Sequence, residues 1–501
     1  MSQVLSVKNF EYYSNIANQL QLPNQCFIDG GFRPATSGKT MPSVNPANGE
    51  ILTEVAAGDE ADVNAAVANA RVVFESGIWS LMHPSERKQH LLQFAELIRD
   101  NLEELSVLES LESGKPVSDC LNIDVPETAK CIAWHAEAQD KLYDQVSPSG
   151  SEALGLIVRE PIGVAALVLP WNFPLVMAAW KLGPALATGN SVVVKPSELT
   201  SMTALRLAEL AVEAGIPKGV FNVVTGTGAM AGKPLGLHPQ VDIVSFTGST
   251  ATGRLFLEYS AKSNMKRVVL ETGGKSPCVV LDDADLDRVA EHQAYSFMGN
   301  MGQTCTANTR LIVHESLKDA LLEKIIGHCK AWKIGNPLDP DTCLGALIGK
   351  EHFDKVAGFI QKGQEEGAKL LYGGYAVEGD GYYLSPAIFD GVDNTMSIAQ
   401  DEIFGPVLSV ITFSNDDQAV ALANDTDYGL AASLFTRDLT RAHRLARRIK
   451  AGTVSVNSYS EGDLSTPFGG YKLSGFGGKD NGIQAHEQYT EQKTIWVDLS
   501  D

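Results

Sequence analysis

Between residues 163 and 248 the chain alternates short unbroken apolar runs with longer amphipathic ones: GVAALVLP, LVMAAWKLGPALATG, SVVVKPS, TALRLAELAVEAG, VFNVVTG and VDIVSFTG. An apolar run with no polar alternation is a strand covered on both faces, and the segments between have the length and spacing of helices. Strands separated by helices are joined by crossovers, so the expected fold class is α/β, with a parallel, doubly wound sheet. A second series of the same kind begins at SPCVVLDDADL and continues through TRLIVHES, LKDALLEKIIGHCKAW, PVLSVITF and GLAASLFTR. Two doubly wound α/β domains are therefore expected, with a boundary near residue 270. Ahead of them, residues 1–25 predict a short surface helix and CFIDGGFRP a strand pair about Gly30 and Gly31. The stretch from DEADVNAAVANARVVFES to ELSVLESLESGK has helical spacing. The terminal KTIWVDL reads as a strand with no partner nearby in sequence, an edge suited to pairing with another subunit.

Composition removes several classes of function. A chain of 501 residues exceeds one ordinary domain, and a formal charge of −21 would repel a nucleic-acid backbone. The seven cysteines are scattered without a CxxC pair, which argues against a disulfide framework and against a metal site. The N-terminus lacks a basic start followed by an apolar core, and no apolar run approaches the ~18 residues of a membrane span. The expectation is a reducing, cytoplasmic compartment and no membrane partner.

Five motifs carry chemistry. SFTGST puts Gly248 and Ser249 where a buried strand turns into a helix, and the free N–H groups of a first helical turn attract an anion. It lacks the GxGxxG spacing of a standard dinucleotide site. VVVKPSE puts Lys195 and Glu198 just past a strand end, where open α/β sheets bind ligands; a carboxylate there accepts both ribose hydroxyls and repels a 2′-phosphate. LETGGKSP ends like a P-loop but has Val269 where the first glycine belongs. Its informative residue is Glu271, a carboxyl closing a buried strand, where desolvation raises the pKa toward that of a useful base. VLPWNFP holds Asn172 at another strand end, a possible oxyanion donor. GNMGQTCTANTR sets Cys305 between threonines in a segment expected to open a helix, whose N-terminus would lower the thiol pKa. Each has a plain structural reading (a turn, an N-cap, a satisfied buried carboxyl, a small buried thiol) when taken alone.

In order along the chain, PWNFP, KPSE, FTGST, LETGGKSP, GQTC, EIFGPVLSV and PFGGYKLSG resemble the aldehyde dehydrogenase superfamily, from FIDGGF to TEQKTIW. SNMKRVVLE, RDLTRAHRLARRIKAGTVSVN and EGDLSTPFGG resemble its bacterial γ-glutamyl-γ-aminobutyraldehyde dehydrogenase group, of polyamine catabolism. The resemblance implies Cys305 as nucleophile, Glu271 as general base, and Asn172 with the Cys305 N–H as oxyanion donors. It implies contacts to NAD from Lys195, Glu198, Gly228, Gly248, Ser249, Trp171, Glu402 and Phe404. It implies a substrate tunnel walled by Phe173, Met177, Trp180, Thr304 and Phe468, with Glu461 and Asp463 at the mouth. Those two carboxylates, with no lysine or arginine between Ala451 and Tyr471, would favour an ω-amino or γ-glutamyl-amino aldehyde. Departures from the family pattern at Thr272, Met301 and Asn308 bear on the pocket beside Cys305. The implied architecture is a Rossmann-like NAD-binding domain (1–140 and 160–270), a catalytic domain (271–470) and a small β oligomerisation domain (141–159 and 486–501) in a homodimer or homotetramer. Alternatives are a broad-specificity aldehyde dehydrogenase, a coenzyme-A-acylating enzyme, against which Glu271 argues, and a non-catalytic structural relative, against which intact Cys305, Glu271 and Asn172 argue.

Overall fold

The computed structural model describes residues 8–500; residues 1–7 and 501, the outer ends of the expected N-terminal helix and C-terminal strand, lie outside the described residues. The N-terminal helix is Phe10–Gln19, capped by the Asn9 side chain. The apolar runs of the first series form one eight-stranded sheet in the order Gly475–Phe476, Arg267–Glu271, Ile243–Thr247, Val164–Val168, Ser191–Lys195, Phe221–Val223, Cys26–Ile28, Gly31–Arg33. Its five central strands are parallel. Val164–Val168 and Ser191–Lys195 are buried at every residue because both faces are covered. Ala165 and Leu167 pack with helices Pro84–Asp100, Val125–Ala138, Pro174–Ala187 and Met202–Glu213, while Val164, Ala166 and Val168 pack with Glu60–Glu75 and Thr250–Lys262.

From Val164–Val168 the chain adds strands in one direction and then returns to the opposite side for Ile243–Thr247. That reversal leaves a crevice at the carboxyl ends of these two strands, the usual ligand position in such sheets. The strand pair about Gly30 and Gly31 forms with Asp29 and Gly30 both at positive φ (59° and 70°), the hairpin turn whose twist matches its strands.

The second series forms a seven-stranded sheet in the order Lys369–Gly373, Ala387–Asp390, Val407–Phe413, Arg310–His314, Pro277–Val280, Ala431–Phe435, Thr453–Val456. The C-terminal strand Thr490–Asp498 pairs antiparallel with Ala153–Pro161 along its whole length, in a three-stranded sheet completed by Gln145–Val146. Its partner is in its own chain, far back in sequence. Its other edge is open, with Ile495, Trp496 and Val497 exposed. Among the described residues no helix is long and apolar enough to cross a membrane.

Candidate active site

The segment after Val164–Val168 runs Leu169-Pro170-Trp171-Asn172-Phe173 and enters the helix Pro174–Ala187, with Pro174 at its first position. Asn172 is buried at the crevice. Its Nδ2 donates to the Gln303 carbonyl (2.9 Å), and the Asn300 Nδ2 donates to the Asn172 carbonyl (2.8 Å). These two bonds clamp the loop of the first sheet to the cysteine loop of the second. An amide nitrogen carries two protons, so one remains for a ligand.

The cysteine loop is held in an unusual backbone. Asn300, Met301 and Gly302 are consecutively left-handed (φ 50°, 56° and 71°). The two non-glycine residues each store roughly 1–2 kcal/mol, a conformation kept only where surroundings over-determine it. Gln303 does so: its side-chain oxygen accepts the Ile348 N–H (2.9 Å), and its carbonyl takes the Asn172 and Asn300 amides.

Cys305 then sits in a turn closed by the Ala307 N–H to the Thr304 carbonyl (3.2 Å), ahead of the strand Arg310–His314. The expected helix does not form here, because the residues after the turn join a parallel sheet. No helix dipole lowers the thiol pKa. Burial, and after it the carboxylates of Glu461, Glu402 and Glu271, push it well above the ordinary range. The double glycine of LETGGKSP has a steric reason. A Cβ on Gly273 would collide with the Glu402 carboxylate, and one on Gly274 with the Cys305 carbonyl oxygen. The Gly274 N–H donates to Glu402 (3.0 Å).

Glu271 ends its strand beside Thr247 and is 3% exposed, and among the described residues neither of its carboxylate oxygens has a hydrogen-bond partner. Burial raises its pKa well above the usual carboxylate range, Asp480 adds to the rise, and Lys181 and Lys479 oppose it. Lys181 is itself fully buried, bridging Asp480 (3.0 Å) and the Ser245 hydroxyl (3.1 Å). Lys181 and Asp480 were not legible as site residues, because nothing local marks a lysine inside an apolar helix or an aspartate in a C-terminal loop.

One cavity of about 490 Å³ contains Cys305, Glu271 and Asn172 and runs to both sides of them. At one end it is lined by Trp171, Gly248, Ser249, Glu402 and Phe404. Trp171, Phe404 and His352 pack edge to face, and His352 Nε2 lies 2.7 Å from the Phe404 carbonyl oxygen. His352 also went unnoticed, since its contacts come from residues distant in sequence. Ser249 caps the helix Thr250–Lys262 (3.2 Å to the Thr252 N–H), whose first-turn N–H groups suit a pyrophosphate. Lys195 and Glu198 pair at 3.0 Å beyond the neighbouring strand end. A Cβ at Gly228 would meet nothing within 4 Å. These three residues lie outside the cavity of Cys305. Together, strand-end carboxylate, helix N-terminus and open glycine fit a ribose and a phosphate.

At the other end Phe173, Met177, Trp180 and Phe468 line the cavity, with Trp180 and Phe468 edge to face at 4.9 Å. Thr304 is absent from the lining; its position in the turn leaves it half-buried outside this cavity. Glu461, Asp463 and Glu127 also line this cavity with Lys130, as does Asp124, which is 1% exposed and paired to Lys115. Glu461 is half-buried and accepts the Thr306 hydroxyl (2.6 Å), whereas Asp463 is exposed and 3.9 Å from Lys130. Glu109, Cys120 and Asp124 come within 4.8 Å of one another, but Lys115 already bonds both acids and lies 3.8 Å over the Phe173 ring, so the cluster carries its own cation. Of the sequence departures, Thr272 lines the cavity. Met301 is buried in the core of the second sheet, and Asn308 is a satisfied structural amide bonded to Ser433, Pro277 and Gln293.

A thiol, a buried carboxyl and an amide donor thus line one cavity beside the strand-end crevice, a set of groups suited to chemistry on a carbonyl. The chain belongs to the aldehyde dehydrogenase family, whose model matches residues 32–495, and whose cofactor is NAD(P). It is 57% identical to an aminoacetaldehyde dehydrogenase of Pseudomonas aeruginosa, over 98% of this chain and 99% of that one. It superposes on a crystal structure of γ-glutamyl-γ-aminobutyraldehyde dehydrogenase from Burkholderia cenocepacia with a TM-score of 0.96 at 50% identity, covering 98% of this chain and 100% of the other. A crystal structure of an indole-3-acetaldehyde dehydrogenase complexed with NAD+ gives a TM-score of 0.97 at 48% identity, with the same coverage.

Proposed function

We propose that this aldehyde dehydrogenase oxidises ω-amino or γ-glutamyl-amino aldehydes, of the kind formed in polyamine catabolism, to carboxylic acids with NAD. The observation that carries the substrate class is the acidic lining: Glu127, Glu461 and Asp463 line the cavity that holds Cys305, against one cation, Lys130. An ammonium at the far end of an aldehyde would be drawn there while its carbonyl reaches the thiol. The names of the aminoacetaldehyde and γ-glutamyl-γ-aminobutyraldehyde relatives support the reading.

The chemistry follows from the residues. The Cys305 thiolate attacks the aldehyde carbon, forming the C–S bond of a thiohemiacetal. The oxygen takes the electron pair and is held by the Asn172 amide and the Cys305 N–H. The crevice bordered by Trp171, Gly248, Ser249, Glu402 and Phe404 would hold NAD, whose chemistry there would be hydride acceptance, and Cys305 would carry the resulting thioester. Glu271 takes a proton from water as the water attacks the thioester; the C–S bond breaks, and the acid and the thiolate are released. Trp171, Glu402, Phe404, Gly248 and Ser249 would border the cofactor, and Glu198 with Lys195 would meet its ribose. The same reading assigns residues 1–140 and 160–270 to cofactor binding, 271–470 to catalysis, and 141–159 with 486–501 to a homodimer or homotetramer in the cytoplasm.

Broad specificity is the second reading, favoured by the likeness to an enzyme named for indole-3-acetaldehyde. Comparing kcat/KM for 3-aminopropanal and butanal decides between them. A preference of roughly tenfold for the amine is expected after salt screening, falling toward unity in Glu461→Gln/Asp463→Asn. Equal kcat/KM values in the wild type would establish the broad reading.

A further inference from the structure

Glu461 does more than line the cavity. Thr306, the residue after the nucleophile, donates its hydroxyl to Glu461 Oε1 (2.6 Å), and the Tyr459 hydroxyl lies 2.9 Å from the same Thr306 oxygen. The carboxylate is thus fastened to the peptide segment that carries Cys305, and both side chains face the same cavity. Glu461 is the first charged group in the order of influence on the Cys305 thiol, ahead of Glu402 and Glu271. Tyr459 also faces the thiol, and Glu127, Tyr295 and Tyr459 face Glu461. Lys115 is taken up by Glu109 and Asp124 and Lys130 by Glu127 and Asp463, so among the described residues no lysine or arginine pairs with Glu461.

We propose that Glu461 is a charge gate on the nucleophile: its carboxylate, held by Thr306, disfavours the Cys305 thiolate in the free enzyme, and an ammonium bound against it restores the thiolate. The proposal rests on the reading of Cys305 as nucleophile and of an amino aldehyde as substrate. Its consequence is that a cationic substrate raises the reactivity of the thiol that attacks it, whereas a neutral aldehyde of equal length meets a mostly protonated sulfur. Glu461 is a positioning residue for charge rather than a participant in bond making. An opposite charge within a few ångströms moves a pKa by roughly 1–3 units, and a partly solvated ammonium belongs at the low end.

The test follows alkylation of Cys305 by iodoacetamide, in which the thiolate forms a C–S bond and iodide leaves, by mass measurement of the Cys305 peptide between pH 6 and 10. Resolution by peptide separates it from the exposed Cys343. Relative to wild type, the midpoint should fall by about one pH unit in Glu461→Gln, whose amide oxygen still accepts from Thr306, and stay near wild type in Glu461→Asp. Ethylammonium should lower the wild-type midpoint and leave that of Glu461→Gln in place, and 1-propanol should do neither. An unchanged midpoint in Glu461→Gln overturns the coupling. An unchanged wild-type midpoint under saturating ethylammonium overturns the gating. Alkylation needs no turnover, so a chain that fails to prefer amino aldehydes in the kinetic comparison can still show the coupling, and the two failures are separable.

Discussion

Replacing Gly274 by alanine isolates how much of the catalysis depends on the position of the cysteine loop. An added Cβ would sit about 1 Å inside ordinary contact with the Cys305 carbonyl oxygen and 3.2 Å from Leu430 Cβ. Gly274 is not at positive φ, so the substitution adds no backbone strain and the steric effect stands alone. Glu402, bonded to the Gly274 N–H, and Leu430, in the core, leave the cysteine loop as the side that yields. A displacement of about 1 Å moves the sulfur relative to Asn172 and Glu271, and misplacement on that scale lowers rates by roughly a hundredfold, about 2.7 kcal/mol of transition-state stabilisation. The assay is NADH formation under kcat/KM conditions, with thermal unfolding measured in parallel. Gly31→Ala is the control, since a Cβ there meets nothing within 4 Å and the residue is not at positive φ. Gly274→Ala with kcat/KM within threefold of wild type would refute the claim that this contact positions the nucleophile.

Three further outcomes are expected. Glu271→Gln should give a burst of NADH near one per site and then a steady state slower by about 10²–10⁴, read by rapid mixing; a wild-type steady state removes Glu271 as the base. NAD should exceed NADP in kcat/KM by roughly ten- to a hundredfold, less than an unpaired Glu198 would give because Lys195 pairs with it at 3.0 Å, and Glu198→Gln should narrow the gap. His486, fully enclosed against His135 (2.9 Å between ring nitrogens), is pushed down to about 4 by burial. A histidine lowered in the fold stabilises it above the unfolded pKa and loses that contribution as pH falls from ~6.5 toward 4, so about 3 kcal/mol should disappear across that window, more steeply than in His486→Gln, as read by denaturant unfolding at successive pH values.

Period and turn chemistry act within a few residues, and what depends on them was legible in the chain alone. The unbroken apolar runs at 164–168 and 191–195 announced strands covered on both faces. CFIDGGFRP announced a strand pair, which turns at Asp29-Gly30 and not at Gly30-Gly31, and the helical spacing of DEADVNAAVANARVVFES forms the helix Glu60–Glu75. Glu271 at a buried strand end was also readable, and its raised pKa follows from that position. The state of Cys305 was not readable. Its polar neighbours suggested a helix start and a lowered pKa, but the loop feeds a parallel strand instead, and three carboxylates from residues 271, 402 and 461 surround the thiol. Lys181 with Asp480, His352 with Phe404, and Thr306 with Glu461 likewise meet only in the fold. Electrostatic influence sums over whatever lies within a few ångströms, whatever its sequence position, so the elements could be read from local pattern while the charge around Cys305 was decided by tertiary structure.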